Sequence, residues 1–388
     1  MGSARLSLSD PQPPGAAFQA RLQDDLDALT RRHRRRALAA RTGYDFASND
    51  YLGLAGSSDM RAIVAGALAR GVPIGAGGSR LLRGNHEEHE ALEAEAARWF
   101  GSGAALFFST GFAANGGLFA ALPGADDLVV HDELIHASAH DGMRLGRAAR
   151  VSVSHNDADA VADAIAQWRR EGGTGRPWIA VESLYSMDGD RAQLADLVAI
   201  ADREDAVLIV DEAHATGVFG PAGRGLAAEW EGRDNLITLR TCGKALGAEG
   251  ALVCASRAVC DILINRARGF IFSTAPSPLM AAAVRGSLAL IEREPERITK
   301  LDGLVRHAHE RLVPLGALAS GSPIMPVIIG DDARTMEIAA RLQAQGFDVR
   351  GIRPPTVPVG TARLRLSVTL NVDAATIDAL AEALKEAL

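Results

Sequence analysis

From Ala104 onward the chain alternates short, apolar, β-branched runs with longer stretches of helical period, and that rhythm predicts a mostly parallel α/β sheet. Strands are expected at 104–108, 127–131, 150–153, 177–182, 206–211, 236–239 and 251–254, with helices between them, for example at 159–169 and 193–203. A long helical stretch follows Pro276 and runs toward Glu292. Beyond it the pattern changes, with strands near 325–329, 348–352 and 363–368, which predicts a second, smaller C-terminal α/β domain. The expected division is a helical N-terminal segment at 1–45, a large domain at 46–285 and a small domain at 286–388.

Composition narrows the class of partner. A formal net charge of -7 and a pI near 5.8 argue against nucleic acid or an anionic membrane as the main partner, because both need clustered positive charge. Small-molecule chemistry is the expectation. The opening MGSARLSLSDPQPPG lacks the apolar core of an export signal, and the longest apolar run, 104–122, is interrupted by Ser109, Thr110, Gly111 and Asn115. Cys242, Cys254 and Cys260 are odd in number and show no metal-ligand pairing, which suits a reducing cytoplasm and predicts no membrane span and no metal.

In open α/β sheets a ligand sits at the carboxyl ends of the strands, so polar residues there are examined first. Lys244, in TCGKALG, follows the 236–239 strand and is one of only three lysines in 388 residues. A surface lysine is the ordinary reading, but an amine desolvated among apolar neighbours has a lowered pKa and becomes nucleophilic toward an aldehyde. Asp211 ends the 206–211 strand, with His214 three residues later. A carboxylate there needs a positively charged or donor partner, of which a pyridinium nitrogen is one; a helix cap or a metal ligand is the plainer alternative. The D-E-A-H string also occurs in helicases, but the phosphate loop those require is missing.

Ser109, Thr110 and Gly111 open a helix directly after the 104–108 strand, with Phe112 next, and free N–H groups at such a helix start suit a phosphate. Thr241 could add a hydroxyl to the same anion. His136 is either a helix cap or a ring that stacks on a flat cofactor. The histidines of NHEEHE at 85–90 are three apart rather than the four of a zinc helix, so a capped acidic helix start is expected there.

Seven stretches then carry a resemblance over almost the whole chain: FASNDYLGL at 46–54, GAGGSRLLRGNH at 75–86, STGFAAN at 109–115, SMDGD at 186–190, DEAHATGV at 211–218, TCGKALG at 241–247 and RPPTVPVGTARLR at 353–365. Together they resemble the α-oxoamine synthases, pyridoxal 5'-phosphate (PLP) enzymes of fold type I. GGSRLLRGNH and RPPTVP are most similar to the branch that condenses L-alanine with a pimeloyl thioester, on coenzyme A or on acyl carrier protein. Members that use glycine or serine with other acyl donors are the alternative.

The resemblance implies that Lys244 forms the Schiff base and later acts as the base, and that Asp211 partners the pyridinium nitrogen. It implies that His136 stacks on the ring, and that Ser186 and His214 bond its phenolic oxygen. Gly111, Phe112 and Thr241 would hold the phosphate. Arg353 with Asn49 would anchor the amino-acid carboxylate, Thr356 would be a further substrate contact, and Arg31 would meet the acyl substrate. A homodimer is also implied, with the segment at 271–276 donating phosphate contacts to the partner. Cys242 and Glu249 depart from the family pattern beside Lys244, which puts the packing of that loop in question.

Overall fold

The computed structural model describes residues 15–388; the Pro-rich start, part of the expected N-terminal segment, lies outside them. A short strand β1 (Tyr44–Asp45) precedes a seven-stranded sheet of β2 (Ala104–Phe108), β3 (Leu128–Asp132), β4 (Ala149–Val153), β5 (Pro177–Glu182), β6 (Val207–Asp211), β7 (Leu236–Thr241) and β8 (Ala251–Ala255). Its order is β2-β8-β7-β6-β5-β3-β4, and only β8 runs antiparallel to its neighbours. Strands β2, β3, β5, β6 and β8 are buried along their whole length, because helices cover both faces. One apolar cluster, with Leu106, Val129, Ile209 and Leu239, packs on one side; another, with Val130, Ile179, Leu208 and Leu197, packs on the other.

The C-terminal part holds β9 (Ile324–Gly330), β10 (Phe347–Asp348), β11 (Arg350–Ile352) and β12 (Ala362–Ser367). The sheet β11-β12-β9 is antiparallel, while β10 pairs in parallel with β1. The single strand expected at 348–352 is therefore two. Val349, fully buried, turns the chain between a partner from the N-terminal segment and a partner from the C-terminal sheet. Phe46, Tyr51, Leu52 and Leu54 share one continuous core with Ile324, Leu364 and Leu380. The long helix expected after Pro276 spans Pro278–Arg293, started by the Ser277 hydroxyl, which accepts from the backbone N–H groups of Leu279 and Met280.

Two helices that start at the sheet's carboxyl edge, Gly111–Ala121 and Ala137–Leu145, lie against each other with almost no side chain between them. A Cβ added to Gly142 would come within 2.7 Å of the Asn115 carbonyl oxygen, and one on Gly146 within 2.6 Å of the Phe119 carbonyl oxygen. The close approach sets the spacing of the two helix starts. Gly142→Ala is expected to cost about 1–3 kcal/mol by overpacking this contact, measured as a lowered urea midpoint with an unchanged m-value.

Candidate active site

Strands β3 to β7 run parallel, so Asp132, Glu182, Asp211 and Thr241 all fall at one edge of the sheet. A cleft of about 960 Å³ opens over this edge between the large sheet and the C-terminal sheet; Asn49, His136, Ser186, His214, Lys244 and Thr356 are among the residues that line it. Asp211 lies beneath, 7% exposed. One of its oxygens accepts from the backbone N–H of Ala213 at 2.9 Å and the other from Asn115 Nδ2 at 3.1 Å. Asn115 Nδ2 also donates to Ser138 Oγ at 2.9 Å, and that hydroxyl lies 2.7 Å from His136 Nδ1. Because Nδ1 accepts the Ser138 backbone N–H at 3.2 Å, the Ser138 hydroxyl donates to it, and the ring carries its proton on Nε2. A hydrogen-bonded chain thus joins the strand-end carboxylate to the ring above it. Burial lowers the pKa of His136, with Lys244 adding to the effect against the pull of Asp211.

Lys244 is partly buried and donates to Thr241 Oγ1 at 3.3 Å. Burial lowers its pKa, while the charges of Asp211 and Glu182 oppose the shift. The neighbouring loop is tightly packed: Cys242 is fully buried, its N–H donates to the Gly250 carbonyl at 2.8 Å, and Glu249 points to solvent as an exposed residue. Neither departure places a charge in the core.

The helix that begins at Gly111 leaves two backbone N–H groups, at Gly111 and Phe112, with no described acceptor, because Thr110 caps only Ala113 and Ala114. A Cβ on Gly111 would sit 2.7 Å from Thr241 Cγ2, so a side chain there would close the space that these groups face. The result is a small anion cradle of backbone N–H groups, helix dipole and hydroxyl.

The other wall is built from β12 and the segment after Phe46. Arg365 donates from Nε to the Ser186 carbonyl at 2.7 Å, from Nη1 to Ser367 Oγ at 2.8 Å and from Nη2 to Asn49 Oδ1 at 3.0 Å. The Tyr51 hydroxyl lies 2.7 Å from His214 Nδ1 and 3.2 Å from Asn49 Oδ1. His214 is buried, which with Lys244 and Arg365 nearby depresses its pKa well below the ordinary imidazole value.

Two expected substrate arginines stand elsewhere. Arg353 does not line the cleft: its guanidinium donates to the His33 carbonyl, while Arg365 occupies the cleft wall. Arg31 is the exposed last residue of the Ala16–Arg31 helix, and it is Arg36 that enters the cleft, donating to Thr356 Oγ1 at 3.2 Å. Sequence reasoning passed over Asn115, Ser138, Tyr51 and Arg365; all but Ser138 lay inside or beside the motifs, yet their partners are distant in the chain. His86 caps the Glu87–Phe100 helix, with Glu88 N–H donating to its Nδ1 at 3.1 Å, and among the described residues no group of three or more His, Cys, Asp or Glu is placed to hold a metal ion.

A seven-stranded sheet with a single antiparallel strand, a lysine after β7, an aspartate ending β6 and an anion cradle at the first helix define a PLP-dependent transferase fold of type I. The chain belongs to the aminotransferase class I and II family, whose family model matches residues 41–384, and within it to the 8-amino-7-oxononanoate synthases. It is 44% identical over 344 residues to the 8-amino-7-oxononanoate synthase of Anaeromyxobacter dehalogenans, which covers 88% of this chain and 85% of that one. The corresponding protein of Aromatoleum aromaticum is 41% identical over 378 residues, 93% of this chain and 95% of its own. Among solved structures, 8-amino-7-oxononanoate synthase from Francisella tularensis superposes with a TM-score of 0.73 at 28% identity, covering 89% of this chain and 97% of that one. A serine palmitoyltransferase from S. paucimobilis with PLP and myriocin bound gives 0.86 at 25% identity, covering 97% and 98%.

The depressed pKa of His214 has a consequence for stability. Its unfolded-state value is 6.5 and its folded value lies well below, so on acidification the unfolded chain takes up the proton first and stability falls. Below pH 6.5 this one group contributes a slope of up to about 1.4 kcal/mol per pH unit, down to its folded pKa. His214→Gln, which cannot titrate, is expected to flatten the urea-unfolding free energy between pH 6.5 and 5 by that amount.

Proposed function

We propose that the protein is an 8-amino-7-oxononanoate synthase that condenses L-alanine with a pimeloyl thioester, on coenzyme A or on a carrier protein, with loss of carbon dioxide. The observation that carries the reading is the placement of Lys244, its amine 3.3 Å from Thr241 Oγ1 and its pKa lowered at the edge where Asp211 is held. The residues present fit PLP on three counts. The Gly111 and Phe112 N–H groups have no described acceptor and stand beside Thr241 with no room for a Cβ on Gly111, Asp211 is an acceptor buried beneath the cleft, and Lys244 supplies the one lysine amine in the cleft lining.

When bound, PLP supplies an aldehyde for covalent attachment and a ring that draws electrons away from the amino-acid Cα. Asp211, kept in place by Asn115 and the Ala213 N–H, would accept a hydrogen bond from the protonated ring nitrogen. His136, whose proton Ser138 directs to Nε2, and Ser186 and His214 all line the cleft and would hold the bound cofactor, His136 as a flat neighbour and the other two as polar contacts. Lys244 would tether the cofactor, and as a cleft amine of lowered pKa it is placed to take a proton from the alanine Cα and to return one. In the net reaction the alanine Cα is joined to the thioester carbonyl carbon, and the thiol and carbon dioxide leave. Arg365, with Asn49, is placed to take the alanine carboxylate in the position first assigned to Arg353, and Arg36 with Thr356 stands where the acyl donor enters.

In this reading residues 46–285 form the cofactor-binding domain, 286–388 the small domain and 1–45 a helical lead-in. The active form is a homodimer. Ile74, Leu81, Leu82 and Phe272 are exposed on two segments tied together by the Ala275 N–H donating to the Gly78 carbonyl at 2.8 Å, and the 271–276 segment reaches toward the partner's phosphate cradle. Three buried free thiols suit a cytoplasmic enzyme, and no described helix is long and apolar enough to cross a membrane.

The test is to supply purified protein and PLP with alanine, glycine or serine, each paired with pimeloyl-coenzyme A, pimeloyl carrier protein or shorter and longer acyl thioesters, and to follow thiol release and the amino-ketone product. Turnover is expected with alanine and a pimeloyl donor; a preference for glycine or serine would overturn the assignment. Lys244→Ala is expected to lose about 10²–10⁴-fold or more in kcat, the usual contribution of a positioned base. Arg365→Lys should raise the KM for alanine more than that for the thioester.

A further inference from the structure

Beside the cleft, in the loop after β4, His155 is held through both ring nitrogens. Its Nδ1 lies 3.0 Å from each oxygen of Asp132, and its Nε2 lies 2.8 Å from Asp190 Oδ2. A ring that meets a carboxylate at each nitrogen satisfies both by carrying a proton on each, as the imidazolium. Burial works against that charge, but the hydrogen bonds to Asp132 and Asp190 outweigh it and raise the pKa to about 10. Asn156 binds the same two carboxylates, its N–H donating to Asp132 Oδ2 at 2.8 Å and its Nδ2 to Asp190 Oδ2 at 2.5 Å. The Tyr185 ring stands edge-on to the imidazole, with centroids 4.4 Å apart.

The two carboxylates belong to different turns. Asp132 ends β3, and its Oδ1 accepts the Leu134 N–H at 2.8 Å, which shapes the turn that delivers His136 to the cleft. Asp190 closes the turn that presents Ser186: its carbonyl accepts the Tyr185 N–H at 2.9 Å, and the Gly189 N–H returns to the Tyr185 carbonyl at 2.9 Å. The far side of that second turn is tied to β12, through Arg363 to Asp188 and Arg365 to the Ser186 carbonyl. Within the sheet β3 pairs directly with β5 as far as His131 opposite Ala180; beyond the strand ends, His155 with Asn156 bridges the two turns through hydrogen bonds to Asp132 and Asp190.

We propose that His155 is a positioning residue, a charged clasp that fastens the His136 turn to the Ser186 turn and fixes the spacing of those two groups across the cleft. It touches no reacting atom. The inference rests on the synthase reading only for what His136 and Ser186 contact; the clasp itself is read from the hydrogen bonds of His155.

His155→Gln tests it, because the neutral amide removes the positive charge and presents its two N–H groups from a single nitrogen, where the imidazolium donates from opposite sides of the ring. Amide hydrogen exchange on the full-length protein without PLP is expected to quicken at 133–136 and at 184–190 together, with the strands of the large sheet protected as before. With PLP bound, kcat should fall on the order of 100-fold, the scale of a small misplacement of catalytic groups. His155→Gln combined with Ser186→Ala should lose less than the product of the two single losses, because both act on the same turn. Faster exchange at only one turn, or a lowered melting temperature with kcat retained, would overturn the proposal and leave His155 an ordinary ion pair. Asp190→Asn, which removes one charge at constant shape, carries the same readouts if the glutamine variant fails to fold. Absence of alanine-dependent turnover in the wild type would count against the synthase reading instead, with the exchange result still deciding the clasp.

Discussion

A carboxylate buried at the end of β6 is the constraint to which the rest of this site answers. Asp211 is almost wholly out of water, where an unpaired charge would cost several kcal/mol or would be lost by protonation. The fold meets that cost with donors rather than with an adjacent arginine: a backbone N–H two residues on, and the amide of Asn115 from the first helix. Both leave the carboxylate an acceptor with capacity to spare, since two oxygens offer about four lone-pair sites. A directly bound guanidinium would have consumed that capacity. The same amide reaches Ser138 and, through it, His136, so the group that stabilises the charge also orders the ring above it.

That arrangement suits the close approach of the two helices at Gly142 and Gly146. Asn115 and Ser138 can bond only if the Gly111–Ala121 and Ala137–Leu145 helices approach to backbone contact, and Gly142 and Gly146 are what permit it. The small residues thus belong to the electrostatics of the site as much as to its packing. On the opposite wall Arg365 plays the corresponding part for the C-terminal sheet, its three hydrogen bonds linking β12 to the Ser186 turn and to Asn49. The cleft is therefore spanned by directional bonds on both sides and is not merely a gap between two cores.

How much of this could be read from the chain follows from the range of each interaction. Buried strands announce themselves as local apolar runs, so the seven strands of the large sheet were legible to within two residues at each end. Lys244, Asp211 and His136 could be picked out as polar residues at or after the end of such a run, and the structure brings all three to the same edge. Arg365 could not be: it alternates within a strand, and the partners that turn it toward the cleft are 179 and 316 residues away. Arg353 was assigned the anchor's part by the resemblance of the RPPTVP stretch, but its guanidinium donates to the His33 carbonyl. The run Arg31–Arg36 defeats position-by-position reading for another reason. The helix stops at Arg31, and the arginines after it follow no helical period, so nothing local separates the one that reaches Thr356 from its neighbours. The break at Val349 was hidden because both halves of 347–352 are extended, and only their partners differ.

The edge of the sheet gathers three carboxylates on adjacent strands, Asp132 on β3, Glu182 on β5 and Asp211 on β6, with Glu182 directly opposite Asp211 in register. Left alike, they would repel one another in a poorly solvated space. The fold gives each a different fate. Asp132 is matched by His155, and its pKa is lowered, because hydrogen bonds from His155 and neighbouring N–H groups overcome its burial. Glu182 moves the other way: burial and the charge of Asp211 push its carboxyl well above the usual range, so it favours its neutral form. Asp211 sits between Glu182 and the Lys244 loop, on the strand that separates β5 from β7. Asp132 is thus tied to an imidazolium and Glu182 is pushed toward its neutral form, while Asp211, held by the Ala213 N–H and the Asn115 amide, is the one of the three that lies under the cleft.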